Sequence, residues 1–367
     1  MVPDRENSGQ PIPLLAGFEC SSHRRSDGAR VDIIAATHHD RLVYEDFRLV
    51  ARHGMTTVRE GARWHIIEAE RGLYDWTSID VMVDAAQRAG VSIIWDLLHF
   101  GLPDWVNPFH PDFPRIFEEF AIRFAERVGT AGHFVPVNEI SFMTWAAGDV
   151  EYMYPYSTGR GPALKRALCD ASIRAIKAIR YRDPAATVYA VEPLIAVRPT
   201  CAETVLPALK LERAQFEAVD ILTGQLAPEL GGSPELIDII GVNHYPHSQW
   251  YFEAEAIDRH SADWTPLSRL LKKVHDRYQK PLLMSETGCE GDDRSRWFND
   301  IVAECERARA DGVPITGICL YPILSHIAWT GERFCPNGLF DGDSALREPH
   351  RPLLDAINVY HDQTVYA

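Results

Sequence analysis

The chain has little that would tie it to a disulfide scaffold, a membrane or a nucleic acid. Its seven cysteines (Cys20, Cys169, Cys201, Cys289, Cys305, Cys319 and Cys335) are scattered and odd in number, with no C-x-x-C pair. That argues against a disulfide framework and for a reducing compartment. No apolar run approaches the roughly 18 residues of a membrane span. The opening stretch MVPDRENSGQPIP is polar, unlike the apolar segment of a signal peptide. A cytoplasmic protein with no membrane partner is the expectation. Positive charge is also short: 37 Lys+Arg against 52 Asp+Glu leave a formal net charge of −15, which argues against nucleic acid as a partner. Linkers, low-complexity tracts and shifts of composition are missing, so residues 1–367 are read as one domain. No G-x-G-x-x-G follows the first strand candidate, which removes the nucleotide signature of an open, doubly wound sheet.

What is present is a regular alternation. Eight short apolar runs read as strands: PLLAGFE, TTVRE, VSIIWDLLH, HFVPVNE, TVYAVEP, IDIIGVNHY, PLLMSET and ITGICLYPIL. Between them lie amphipathic helical patterns such as SIDVMVDAAQRAG, PRIFEEFAIRFAERVG, ALKRALCDASIRAIKAIRYRDP, LSRLLKKVHDRYQ and SRWFNDIVAECERARADG. Several stop at Gly or just before Pro, as helix C-termini do. Strand–helix alternation implies a parallel sheet, and eight strands close most economically into a (β/α)8 barrel. GDVEYMYPYSTGRGP and SHIAWTGERFCPNGLFDGDSALREPHRP read as elaborated loops after strands four and eight.

In that barrel, polar residues recur where strands end: Arg59 and Glu60, His99, Asn138 and Glu139, Glu192, Asn243 and Tyr245, and Glu286. Strand C-termini open onto the face that carries the active site in barrel enzymes. Phe100, Trp105, Trp145, Tyr321 and Trp329 on the following loops offer flat apolar surfaces of the kind that receive the C–H faces of sugars. Glu286 closes the apolar run of strand seven and Glu139 closes strand four, so the two carboxylates are expected to face each other across the mouth. Such a pair suits glycoside hydrolysis: one carboxyl protonates the leaving oxygen while the other attacks the anomeric carbon. The acid must keep its proton and the nucleophile its charge. Arg59 is the expected cation beside Glu286, Tyr245 a donor to the same carboxylate, and Asn138 a contact for the sugar's 2-hydroxyl.

VPVNEI followed far downstream by LLMSETG resembles the Asn-Glu and Glu-x-Gly strand ends of glycoside hydrolase family 1. TTVREGARW, DLLHFGLPDWV, GVNHYPHS and NGLFD are similar to further motifs of that family and stand in the same order. The resemblance runs from GFECSSHRR onward. It implies the same barrel, Glu139 as acid/base, Glu286 as nucleophile, Arg59 supporting the nucleophile, and His99, Asn138, Asn243 and Tyr245 as groups contacting substrate or nucleophile. It implies a carbohydrate or glycoside as partner, and no metal or organic cofactor. The chain departs from the family where its sugar-gripping residues stand. SSHRR takes the place of an A-Y-Q element, so His23 stands for its Gln. YPILSHIAWTGERF takes the place of N-F-E-W, keeping Trp329 without the Glu, with Tyr321 where an upstream Trp platform is expected. The reading is a retaining β-glycosidase resembling β-glucosidases. The alternatives are a transglycosidase using the same carboxylates, an inverting hydrolase, or a carbohydrate-binding barrel without catalysis.

Other motifs carry blander readings. His38, His39 and Asp40, like His244 and His247, lack further ligands at metal-site spacing and read as loop residues, with His247 a candidate for the sugar site. Lys272 and Lys273 read as a solvated helix face, Cys289 as packing, and Glu192 and Glu290 as spare carboxylates.

Overall fold

The computed structural model describes residues 10–362; the first nine residues of the polar opening stretch lie outside them. Eight parallel strands close into a barrel in which each strand pairs with its neighbours in chain order and the first with the last. They are β1 (Leu14–Gly17), β2 (Thr57–Gly61), β3 (Ser92–Asp96), β4 (His133–Val135), β5 (Thr187–Pro193), β6 (Ile239–Asn243), β7 (Leu282–Thr287) and β8 (Ile315–Leu320). The connecting helices include α1 (His39–Arg52), α2 (Thr77–Ala89), α3 (Phe113–Val128), α4 (Ile140–Gly148), α5 (Gly161–Arg182), α6 (Val205–Ala214), α7 (Leu267–Tyr278), α8 (Arg294–Ala310) and α9 (Arg351–Asp362). No described helix is long and apolar enough to cross a membrane.

The period of two along each strand divides the core into two layers. Leu15, Ile94, Val135, Tyr189, Val191, Leu283, Cys319 and Tyr321 point into the barrel and form its filling. Their neighbours Leu14, Ala16, Val58, Trp95, Phe134, Val188, Ala190, Ile240, Val242, Met284 and Ile318 point out and pack beneath the helices. Helix α3 shows how the outer layer is built. Phe113, Phe117, Phe120 and Phe124 recur at helical spacing and are all buried. Phe120 stacks on Trp64 with centroids 4.7 Å apart, and Phe124 meets Trp95 edge-on at 5.3 Å. Each such ring stabilises the fold by roughly 1.5–3 kcal/mol, and truncating Phe120 to Ala would cost about 3–5 kcal/mol because a cavity remains.

Alternation also decides which polar strand residues reach the mouth. Arg59, Asp96 and Asn243 share the inward parity of their strands; Glu60 and Glu192 have the outward one. Glu60, expected at the mouth, lies among the helices, where its Oε1 bonds Nε2 of His39 at 2.6 Å. His39 is no loop residue: it opens α1 fully buried, stacks on Phe18 at 3.9 Å, and bonds Asp46 through Nδ1 at 2.7 Å. Asp46 in turn receives two bonds from Arg347, each 2.8 Å. The two acids raise His39 to about 9 against the opposing effect of burial.

Gly17 is required by the filling of the barrel. A Cβ there would lie 2.2 Å from Cδ2 of Tyr321. The last inward position of β1 is left empty so that the Tyr321 ring can fill the top of the interior.

Candidate active site

Glu286 reaches the mouth because β7 is irregular. Strict alternation from Leu283 (in) and Met284 (out) would turn Ser285 in and Glu286 out. The register with β6 instead slips by one: Val242 pairs with Met284, but Asn243 pairs with Glu286. This extra residue is a β-bulge, a device that re-aims side chains beside active sites. Ser285 and Glu286 then both point inward, Ser285 donating from Oγ to Oδ1 of Asn243 at 2.7 Å.

The charge of Glu286 is met from two sides. Nη1 of Arg59 lies 2.7 Å from Oε1, and the hydroxyl of Tyr245 donates to Oε2 at 2.8 Å. Arg59 is itself fully engaged. Its Nε and Nη2 bond both oxygens of Asp96 at 2.9 and 2.7 Å, Nη2 also donates to Oδ1 of Asn138 at 2.8 Å, and Nη1 reaches the Ser285 carbonyl at 3.0 Å. All five N–H groups of a buried guanidinium are thereby satisfied, the condition under which such a charge can be buried. Burial pushes the Tyr245 phenol well above its usual range, as does the Glu286 charge, so it remains a donor.

Glu139 is placed differently. After β4 the chain rejoins the sheet through a single bridge between Asn138 and Val191. Glu139 then takes a left-handed conformation, φ 45° and ψ 59°, at the N-cap of α4. Such a conformation costs a non-glycine residue on the order of 1 kcal/mol and marks sites where direction matters more than comfort. The side chain does not cap its own helix. That task falls to Glu192 from β5, whose carboxylate accepts the Ser141 N–H at 3.1 and 3.3 Å. Glu139 is left free to enter the mouth, where Nδ2 of Asn243 donates to its Oε1 at 2.8 Å. Asn243 thus touches one carboxylate with its side chain and pairs along the sheet with the residue bearing the other.

The two environments separate the two acids. Burial raises Glu139 well above the usual carboxylate range, the nearby Glu286 charge adds to this, and only the Asn243 amide and more distant Arg59 oppose it. Burial raises Glu286 as well, but Arg59, His99 and the Tyr245 hydroxyl pull it back. With a cation and a phenol on Glu286 against one amide on Glu139, the first proton goes to Glu139.

Asn138 and Asn243 are fully buried, with amides engaged in orienting Arg59, His99 and Glu139. A direct contact of Asn138 with a sugar is left to its second Nδ2–H. His99 stands three residues past β3, its Nδ1 2.8 Å from Asp96 and its Nε2 3.1 Å from the Asn138 amide nitrogen. Tyr321 is no open platform: it is 2% exposed inside the barrel, parallel to His99 with centroids 6.1 Å apart, its hydroxyl 3.6 Å from Cys20 Sγ. Trp329 is half-buried in an aromatic cluster with His23 at 4.9 Å, Phe100 at 5.7 Å and Phe142 at 6.0 Å. Trp145 lies beyond Phe142 on α4 and is exposed. His23 is buried, with neither ring nitrogen hydrogen-bonded, and burial lowers it to about 4.

Trp105 is an anchor, bonding the Glu68 carbonyl at 2.8 Å. His247 stacks on Tyr245 at 5.6 Å, while His244 is buried on the Leu194 carbonyl. Glu290 pairs with Arg333 at 2.7 and 2.9 Å, away from the acid pair. Lys273 reaches Glu212 at 2.6 Å rather than standing free.

Sequence reasoning passed over Asp96, although IIWD ends an apolar run in a carboxylate as LLMSE does. It also passed over Glu19 and Cys20 past the end of β1. Ligand atoms of Cys20, Asp96 and His99 lie within 4.8 Å of one another. The trio does not suit a cation: Asp96 already holds Arg59 with both oxygens, and burial keeps the Cys20 thiol protonated.

A family model described as beta-galactosidase (Glyco_hydro_42) matches residues 35–142, less than a third of the chain. That span includes Arg59, Asp96, His99 and Glu139 but not Glu286. No curated protein matches the chain. Among solved structures, a beta-glucosidase from Thermotoga maritima in complex with noeuromycin superposes with a TM-score of 0.76 at 16% identity, covering 96% of this chain and 98% of its own. The family 1 beta-glucosidase from Thermotoga maritima gives 0.74 at 15% identity, covering 96% and 97%. The fold is therefore the (β/α)8 barrel these β-glucosidases share. The partial match and the shared fold together support a glycosidase of the (β/α)8 clan; the match is to a family 42 model, while the motifs resemble family 1.

Proposed function

We propose that the protein is a retaining β-glycosidase with Glu286 as nucleophile and Glu139 as acid/base. The observation that carries this reading is the unequal provision for two mouth carboxylates linked through Asn243: a cation and a phenol hold one ionised, while burial and a like charge keep the proton on the other. In the first step Glu286 Oε attacks the anomeric carbon as Glu139 transfers its proton to the departing glycosidic oxygen, giving a glycosyl ester and a free alcohol. In the second, Glu139 takes a proton from water, the hydroxide oxygen bonds the anomeric carbon, and Glu286 leaves as carboxylate. Arg59 and Tyr245 keep the nucleophile charged and aimed, and Asn243 aims the acid. His23 and Trp329 supply the sugar's polar and apolar contacts, and His99 holds Asn138 in place. The partial match to a beta-galactosidase model and the shared fold with beta-glucosidases support a hexoside as substrate.

A panel of nitrophenyl β-glycosides tests the proposal, with NMR recording the anomeric form of the first product. Glu286→Gln is expected to abolish turnover. Glu139→Ala is expected to release nitrophenol in a burst followed by slow steady-state turnover. Wild-type rates in Glu286→Gln, or a first product of inverted configuration, would refute it.

A further inference from the structure

Glu19 is a third carboxylate on the same mouth, contributed by β1. Leu15 points into the barrel filling and Gly17 lies beneath the Tyr321 ring; two residues on, Glu19 continues that inward parity just past the strand end. Phe18 points outward onto His39, as this parity requires, and past the strand end Cys20 also turns to the mouth, 3.1 Å from His99. Oε1 accepts the Ser21 N–H at 3.0 Å. Oε2 has no hydrogen-bond partner among the described residues, and the side chain is only half-buried. Burial alone would raise its pKa, but His99, His326 and the Ser21 contacts outweigh burial and hold it below the usual range. Its charge reaches Glu286, Tyr245 and Tyr321. Four residues on, the buried imidazole of His23 has both nitrogens unengaged.

We propose that Glu19 determines the charge of the sugar this site accepts, its free oxygen taking hydrogen bonds from ring hydroxyls or an amino group and excluding uronic acids. This deepens the glycosidase reading and rests on it. A neutral hexose offers donors to Glu19 and both donors and acceptors to the uncharged His23. A uronate would set its carboxylate against that of Glu19, which has no salt-bridge partner among the described residues and only the imidazoles of His99 and His326 nearby, and juxtaposed like charges are disfavoured at a binding surface. Gln in place of Glu19 retains Oε1 for the Ser21 N–H and turns the free end into an amide, which can donate to a carboxylate.

The test compares wild type with Glu19→Gln on nitrophenyl β-D-glucoside, β-D-galactoside and β-D-glucuronide. Wild type is expected to favour the better neutral substrate over the glucuronide by a hundredfold or more in kcat/KM. Glu19→Gln is expected to narrow that ratio at least tenfold, with unfolding midpoints confirming that the variant is folded. An unchanged ratio, or a wild type that prefers the glucuronide, overturns the proposal. Titration of both proteins with glucose, galactose and glucuronate, followed by tryptophan fluorescence, separates this outcome from failure of the glycosidase reading. If no glycoside is cleaved but Glu19→Gln still relaxes the discrimination against glucuronate tenfold, the hydrolase reading falls and the role of Glu19 stands. If no sugar binds, both fall.

Discussion

Arg59 and Glu286 are 227 positions apart in the chain and 2.7 Å apart in the folded protein. Each is buried, and neither charge would be tolerable there without the other. Arg59 also clamps Asp96 through two nitrogens, so the partner of the proposed nucleophile is held by a second acid. Replacing Arg59 by Lys keeps the charge and loses the planar fork. Arg59→Lys is expected to lower kcat on a nitrophenyl glycoside at least about a hundredfold, and to destabilise the protein by about 3–5 kcal/mol in urea unfolding because Asp96 loses its paired donors.

Tyr245 tests the electrostatics of the nucleophile by itself. Its hydroxyl donates to Oε2 of Glu286 and is among the groups that lower that carboxyl's pKa. Tyr245→Phe removes the donor and keeps the ring. The Glu286 pKa then rises, so the acid limb of the kcat/KM profile is expected to move to higher pH, with kcat falling on the order of a hundredfold. A limb that stays in place or moves down would contradict the assignment.

Glu139, the proposed acid/base, makes a prediction about stability. Its folded pKa is raised above the unfolded value, so its favourable contribution is complete below the ordinary carboxylate range and is lost as pH rises through the folded pKa. Glu139→Gln cannot ionise and escapes that loss. The variant is expected to gain little stability near pH 4 and measurably more at pH 8. Thermal scans across pH check this; a gain largest in acid would contradict it.

His39 gives the same sign from an opposite charge. Its pKa is raised to about 9 by Glu60 and Asp46 despite burial. The stability from the imidazolium is complete below its unfolded value near 6.5 and is lost as pH climbs through about 9. His39→Gln is expected to flatten the stability profile over that window and to cost about 3–5 kcal/mol at pH 6, since buried Glu60 loses its cation while Asp46 keeps only Arg347. Urea unfolding at pH 6 and pH 9.5 measures both effects.

The barrel was legible in the sequence because each strand is a short apolar run and each helix a longer amphipathic one, and both periods are local properties. The strand ends were less so. VSIIWDLLH and HFVPVNE read as continuous strands, yet β3 stops at Asp96 and β4 at Val135, leaving His99, Asn138 and Glu139 on the turns beyond. Parity was the deeper loss. Glu60 and Glu192 look like mouth residues until alternation from their neighbours is counted, and Glu192 then proves to be the cap that frees Glu139. Tyr321 reads as an exposed platform because nothing local reveals that Gly17, three hundred residues earlier, leaves room for its ring. The His39 cluster was hidden for the same reason: its partners come from β2, α1 and the segment before α9.

The slip in β7 has a consequence for how such a site can arise or vanish. A ladder advances in steps that swap inside for outside, so adding or dropping a single amino acid exchanges every later side chain between the two. Were the ladder regular here with Ser285 in place, the glutamate would stand among the greasy contacts of the surrounding helices, unable to reach any ligand. The reactive face of this cylinder therefore depends on one surplus amino acid accommodated along one edge, and a rearrangement that smoothed the slip would silence it while leaving the scaffold's architecture in place.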